Sequence, residues 1–183
     1  MLGWSMPLFR ISGILVSLHV TFFILLAYFA WEGGQAGGIQ GVFWTVGFVL
    51  LLFACITLHE LGHAFLARRY QVPVPRILLT PIGGIAELGF LPEQPRREIA
   101  IILAGPAINF ALVLLLLPWV KWPSPLIIGS TYVPLTIPGL LQEMLRFNVL
   151  MGLFNLLPVF PMDGGRLLRA GLATRIPYVR ATK

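Results

Sequence analysis

Apolar runs long enough to cross a bilayer constrain this chain more than any other feature. A membrane helix needs about 20 consecutive apolar residues. Four such segments can be drawn, over residues 11–31, 42–67, 98–120 and from about 139 or 147 to 157. Charged residues make up 11% of the chain and hydrophobic ones 57%, against about 25% charged in a soluble domain. The mean hydropathy is +0.87. These values exclude a disordered chain and disfavour an ordinary soluble domain. They predict an all-α polytopic membrane protein with about four transmembrane helices, forming one domain over residues 1–183. The 19 glycines and 15 prolines have no period, so they read as breaks in membrane helices rather than as a fibrous repeat. The first segment is long for the core of a secretion signal, and a retained helix is expected there. Cys55 is the only cysteine, which rules out an intramolecular disulfide.

The net charge of +6 does not point to nucleic acid, because the basic residues sit at the ends of apolar segments. Arg10, then Arg68, Arg69, Arg76, Arg96 and Arg97, then Arg166, Arg169, Arg175, Arg180 and Lys183 fall on one side, and Lys121 and Arg146 on the other. The positive-inside rule puts both termini and the 68–97 connection in the cytoplasm. That connection is apolar and β-prone between Ile77 and Leu88, broken by Pro81, Gly83 and Gly84. It reads as a re-entrant β-hairpin, tolerable at membrane depth only where protein or water satisfies its backbone. The expected partners are the lipid bilayer and no nucleic acid; the oligomeric state is not readable.

Ionisable residues inside apolar spans are costly and need a reason. His59-Glu60-Leu61-Gly62-His63 places two histidines four residues apart. On a helix four residues turn through about 400°, so both imidazoles share one face and can bind one metal ion. Glu60 is about 100° round from His59, within reach of a metal-bound water as general base. Hydrolytic zinc usually takes three protein ligands and leaves a position for water. Asp163 is the only aspartate. It follows the fourth segment, which runs in the same direction as the second, so Asp163, His59 and His63 can meet at similar depth. Asp163 also suits the N-cap of a short helix over residues 164–172.

His59-Glu-Leu-Gly-His63 in one membrane helix, with Asn155-x-x-Pro158-x-x-Pro161-x-Asp163-Gly164-Gly165 on a later one, resembles the site-2 protease family of intramembrane zinc metalloproteases. Pro81-Ile-Gly-Gly-Ile-Ala, Ala104-Gly-Pro-Ala-Ile-Asn109 and the stretch from Gly13 to His19 extend the resemblance from about residue 10 to 180. It implies one Zn2+ per chain held by His59, His63 and Asp163, with Glu60 as the catalytic acid/base. It also implies a multi-pass protein of a prokaryotic cell membrane, its site toward the cytoplasm, cleaving transmembrane protein substrates. Further helices and a regulatory nucleotide-sensing pair often follow the aspartate motif in this family. A fragment, a truncated chain and a minimal member are therefore all open readings.

Other residues have less distinctive signals. Asn155 suits either the substrate carbonyl and oxyanion or a helix–helix hydrogen bond. Asn109 and Gly105 read as packing residues, Cys55 as core, His19 as a buried polar contact or part of a water path. Glu143 and Arg146 read as a solvated pair. Cleavage of a transmembrane helix requires it to unwind, which strands backbone groups in lipid. The Ile77–Leu88 hairpin is expected to replace those bonds by strand pairing along its Ile77–Leu79 edge. The competing readings are a non-proteolytic metal-binding membrane protein, an inactive relative that binds helices, or a metal transporter. Glu60 favours hydrolysis, and the lack of a repeat disfavours a transporter.

Overall fold

Ser12 and Gly13 both take positive φ, 49° and 81°, and reverse the chain in a two-residue turn. Their flanks pair antiparallel as β1 (Ser5–Ile11) and β2 (Ile14–His19). The helix expected over residues 11–31 therefore starts only at Thr21. A short apolar run does not distinguish a buried strand from a helix by periodicity, and here tertiary pairing decides for the strand. The computed structural model describes residues 4–89, 94–120 and 136–174. Lys121, Arg175, Arg180 and Lys183, used above to orient the chain, lie outside the described residues.

The expected hairpin is present as β3 (Arg76–Thr80) and β4 (Gly83–Glu87), paired antiparallel. It is not isolated. β2 runs parallel to β3, from Leu15 opposite Arg76 to Leu18 opposite Leu79, giving a four-stranded sheet in the order β1-β2-β3-β4. The chain is thus mostly helical with a small sheet, not all-α. Both edges of β3 are occupied, so its Ile77–Leu79 segment cannot receive a further strand; the outer edge of the hairpin belongs to β4.

The first helix, α1 (Thr21–Arg69), is interrupted at Gly37 and Gly38. Gly38 has φ 58° and ψ −146°, a conformation that side chains with a Cβ avoid. The two arms fold back on one another there. The Phe22 and Phe53 rings meet edge-to-face at 4.4 Å, and a Cβ on Gly33 would lie 2.6 Å from the Gly41 carbonyl oxygen. Lipid provides little hydrophobic drive for such contacts, so small residues that let backbones approach closely carry them.

The second helix, α2 (Pro95–Leu116), continues into a 3-10 turn, Leu117–Trp119. It is followed by α3 (Ile137–Asn155) and α4 (Asp163–Leu172). Among the described residues, Thr21–Arg69 and Pro95–Trp119 are long and apolar enough to cross a membrane. The main core joins Ile14, Val16 and Leu18 of β2 and Ile77 and Leu79 of β3 to Leu61, Ala64 and Ala67 of α1 and Ile101 of α2. The sheet therefore lies against the last turns of α1, where the two histidines are.

Candidate metal centre

α1 and α2 cross closely at Gly62. A Cβ there would lie 2.7 Å from the Ala104 carbonyl oxygen and 2.8 Å from Ile108 Cγ1. The glycine between the two histidines thus lets α2 approach the ring-bearing face of α1. His59 and His63 are 2% and 5% exposed, so every ring nitrogen needs a partner.

The outer nitrogens are both donors. His63 Nδ1–H donates to the Ile101 carbonyl at 2.8 Å. His59 Nδ1–H donates to Asn109 Oδ1 at 2.5 Å. The direction of the second bond is set by a chain of amides. The Met144 carbonyl can only accept, and Asn148 Nδ2 donates to it at 2.8 Å. Asn148 Oδ1 in turn accepts from Asn109 Nδ2 at 3.0 Å, leaving Asn109 Oδ1 to accept from His59. A backbone carbonyl on α3 thereby determines which nitrogen of His59 carries the proton. Fixing a ligating histidine through its other nitrogen is how proteins orient metal sites.

Both Nε2 lone pairs are left facing inward, 3.1 Å apart. Asp163 Oδ2 is 3.3 Å from Nε2 of His59 and 3.0 Å from Nε2 of His63. Three acceptor atoms this close repel unless a cation or proton lies among them. Tetrahedral ligands about 2 Å from zinc stand about 3.3 Å from each other, so the donor set and its spacing fit such an ion. Among the described residues these three are the cluster able to hold a metal.

Glycines also make room around the centre. A Cβ on Gly105 of α2 would overlap His63 Nε2 and lie 2.8 Å from His59 Nε2. A Cβ on Gly84 of β4 would lie 2.9 Å from Glu60 Cδ and Oε1, so the Glu60 side chain packs directly under that strand. A Cβ on Gly165 would sit 2.8 Å from the Val159 carbonyl carbon. The Asp-Gly-Gly sequence thus lets α4 tuck beneath the turn that follows α3.

Asp163 is the first residue of α4, and its N-cap is Met162. The carboxylate faces the histidines, so the expected capping role goes to no side chain. Asn155 ends α3, half-buried, with Nδ2 donating to the Met151 carbonyl at 3.0 Å. His19 ends β2 rather than lying in a helix, and its Nδ1 accepts from the Thr21 amide at 3.3 Å. Cys55 is buried core, and Asn148 Nδ2 also lies 3.3 Å from its Sγ. Glu143 and Arg146 form the expected i,i+3 pair at 2.6 Å, with both side chains half-buried. Asn148 was not singled out in the sequence, although a fully buried asparagine in an apolar segment is itself a signal.

The model of peptidase family M50 matches residues 47–127 and 124–183. The chain belongs to peptidase family M50. It is 39% identical over its whole length to the zinc metalloprotease MJ0392 of Methanocaldococcus jannaschii, covering 50% of that protein. It is 35% identical to the putative zinc metalloprotease Rip3 of Mycobacterium tuberculosis, over 93% of this chain and 44% of the relative. The solved site-2 protease from Methanocaldococcus jannaschii superposes with a TM-score of 0.69 at 37% identity, over 98% of this chain and 76% of that one. This M50 chain spans about half the length of the curated relatives it matches. M50 membership and two long apolar helices together mark it as a membrane protein.

Proposed function

We propose that this chain is the catalytic core of an intramembrane zinc metalloprotease. His59, His63 and Asp163 hold one Zn2+, and Glu60 is the general base. The supporting observation is the convergence of two imidazole Nε2 atoms and one carboxylate oxygen, with both Nδ1 atoms already committed as donors. The relatives' names add zinc and proteolysis as the chemistry such a centre serves.

Zinc bound there supplies Lewis acidity, polarising a carbonyl and bringing the pKa of water toward neutrality. Glu60 takes the proton from the attacking water and later delivers it to the leaving amine. Its neighbour in the chain is a metal ligand, and β4 covers its side chain. An extended substrate pairing with the outer edge of β4 would pass beside Glu60, and the backbone bonds lost on unwinding would be remade on that edge. Asn155, whose amide donates to the Met151 carbonyl one helical turn back, is the proposed contact for the substrate carbonyl. In the bilayer, the two arms of α1 with α2 and α3 form the spans, and the sheet and the centre lie toward the cytoplasmic face of a cell membrane. The substrate is a transmembrane segment of another protein.

Glu60→Gln is expected to retain zinc and lose cleavage of a model transmembrane substrate by at least about 100-fold, the usual contribution of general acid–base catalysis. His59→Ala is expected to lose both. Zinc content and cleavage, measured on the same preparations, separate this reading from a metal-binding protein that does not cut. Undiminished cleavage by Glu60→Gln would falsify it.

A further inference from the structure

Glu98 lies in the first turn of α2 and is 1% exposed. Its Oε1 accepts from Nη2 of Arg169, an arginine of α4 whose side chain is 12% exposed. A buried carboxylate at a helix start has a bland explanation, since it complements the helix dipole. That explanation does not account for the partner. Arg169 sits on the ten-residue helix that begins with Asp163, so the ion pair ties the third proposed metal ligand's helix to α2.

The same face of α2 serves the other two ligands. Ile101 accepts from His63, Gly105 leaves space for both rings, and Asn109 accepts from His59. Positions 98, 101, 105 and 109 follow the three- and four-residue spacing that lines one side of a helix. All three ligands are therefore referenced to one rigid surface, two through hydrogen bonds to their own rings and one through its helix.

We propose that the Glu98–Arg169 pair is a positioning contact for the metal: by fastening α4 to α2 it sets Asp163 against the two imidazoles. This rests on the zinc reading above. The pair does not touch the metal or the substrate; it acts through the placement of α4. α4 also packs against α2 and, through Gly164 and Gly165, against the turn after α3; to that non-directional packing the buried charge pair adds a directional guanidinium fork that defines the helix's angle.

The test is a double-mutant cycle on metal affinity, using the full chain purified in detergent and zinc competition against a chromophoric chelator. Glu98→Gln is expected to raise the Kd for zinc by about 10–100-fold, the usual effect of losing an outer-shell partner. In an Asp163→Asn background the same substitution is expected to change the Kd by less than about two-fold, because the group being positioned no longer ligates. Glu98→Asp, which keeps the charge and shortens the reach, covers the case in which Glu98→Gln fails to fold. It is expected to give an intermediate Kd and to alter the visible spectrum of the cobalt-loaded protein. An equal loss with and without Asp163, or none in either, overturns the proposal, since the pair would then support the fold alone or nothing measurable. A wild-type chain that takes up no zinc would instead remove the metal reading beneath it.

Discussion

His59 Nδ1 and Asn109 Oδ1 are 2.5 Å apart, and neither residue is more than 2% exposed. The contact joins two helices fifty residues apart in the chain and holds one tautomer of a proposed metal ligand. Asn109→Leu removes the acceptor and leaves a buried N–H without a partner, at about 1–3 kcal/mol. Zinc retention is expected to fall by about 10–100-fold. Chelator competition checks this, and zinc affinity equal to wild type would dismiss the orienting role.

Gly105 is the position where a single methyl group is expected to discriminate most sharply between fold and metal. Its added carbon would overlap His63 Nε2 and press on His59 Nε2. Gly105→Ala is expected to lose most of its bound zinc and to cost about 1–3 kcal/mol by overpacking. Metal content by mass spectrometry and thermal unfolding of the same sample read the two effects separately.

Gly62 tests the helix crossing itself. Gly62→Val places a branched side chain where the Ala104 carbonyl and Ile108 already lie within 2.8 Å. The helices must separate, so a drop in Tm and a loss of zinc are expected together. A variant of wild-type Tm that still binds zinc would show that the crossing is more yielding than its geometry indicates.

Strand pairing at β4 has its own test. Proline removes a backbone donor and is tolerated only where that donor is not needed. Of Ile85→Pro and Ala86→Pro, the one whose amide faces the outer edge is expected to keep zinc yet lose cleavage at least ten-fold. The other is expected to disturb the pairing with β3, where Ile85 stands opposite Leu78 and Ala86 opposite Ile77. Full cleavage by both variants, with zinc retained, would move the substrate elsewhere.

The spacing of His59, Glu60 and His63 was readable in the chain because a helix converts a four-residue interval into a shared face whatever surrounds it. The same holds for the hairpin at 76–87, whose turn residues and β-formers are local signals. Asp163 was readable by scarcity, as the single aspartate beside glycines that only a tight approach requires. The strand at Ile14–His19 was not, although Ser12-Gly13 between apolar flanks is a hairpin signal. An uninterrupted apolar run is equally compatible with a membrane helix and a buried strand, and only the parallel partner at β3 decides between them.

Local periodicity and residue chemistry thus determined, from the sequence by itself, the shared face of His59 and His63, the place of the proposed base Glu60 beside it and the membrane setting. The direction of the His59 proton, the closure of both β3 edges and the anchoring of α4 by Glu98 were decided only in the tertiary structure. Each depends on atoms brought together from segments far apart in the chain, and a hydrogen bond's direction follows from the partner across the interface, not from its own residue's neighbours.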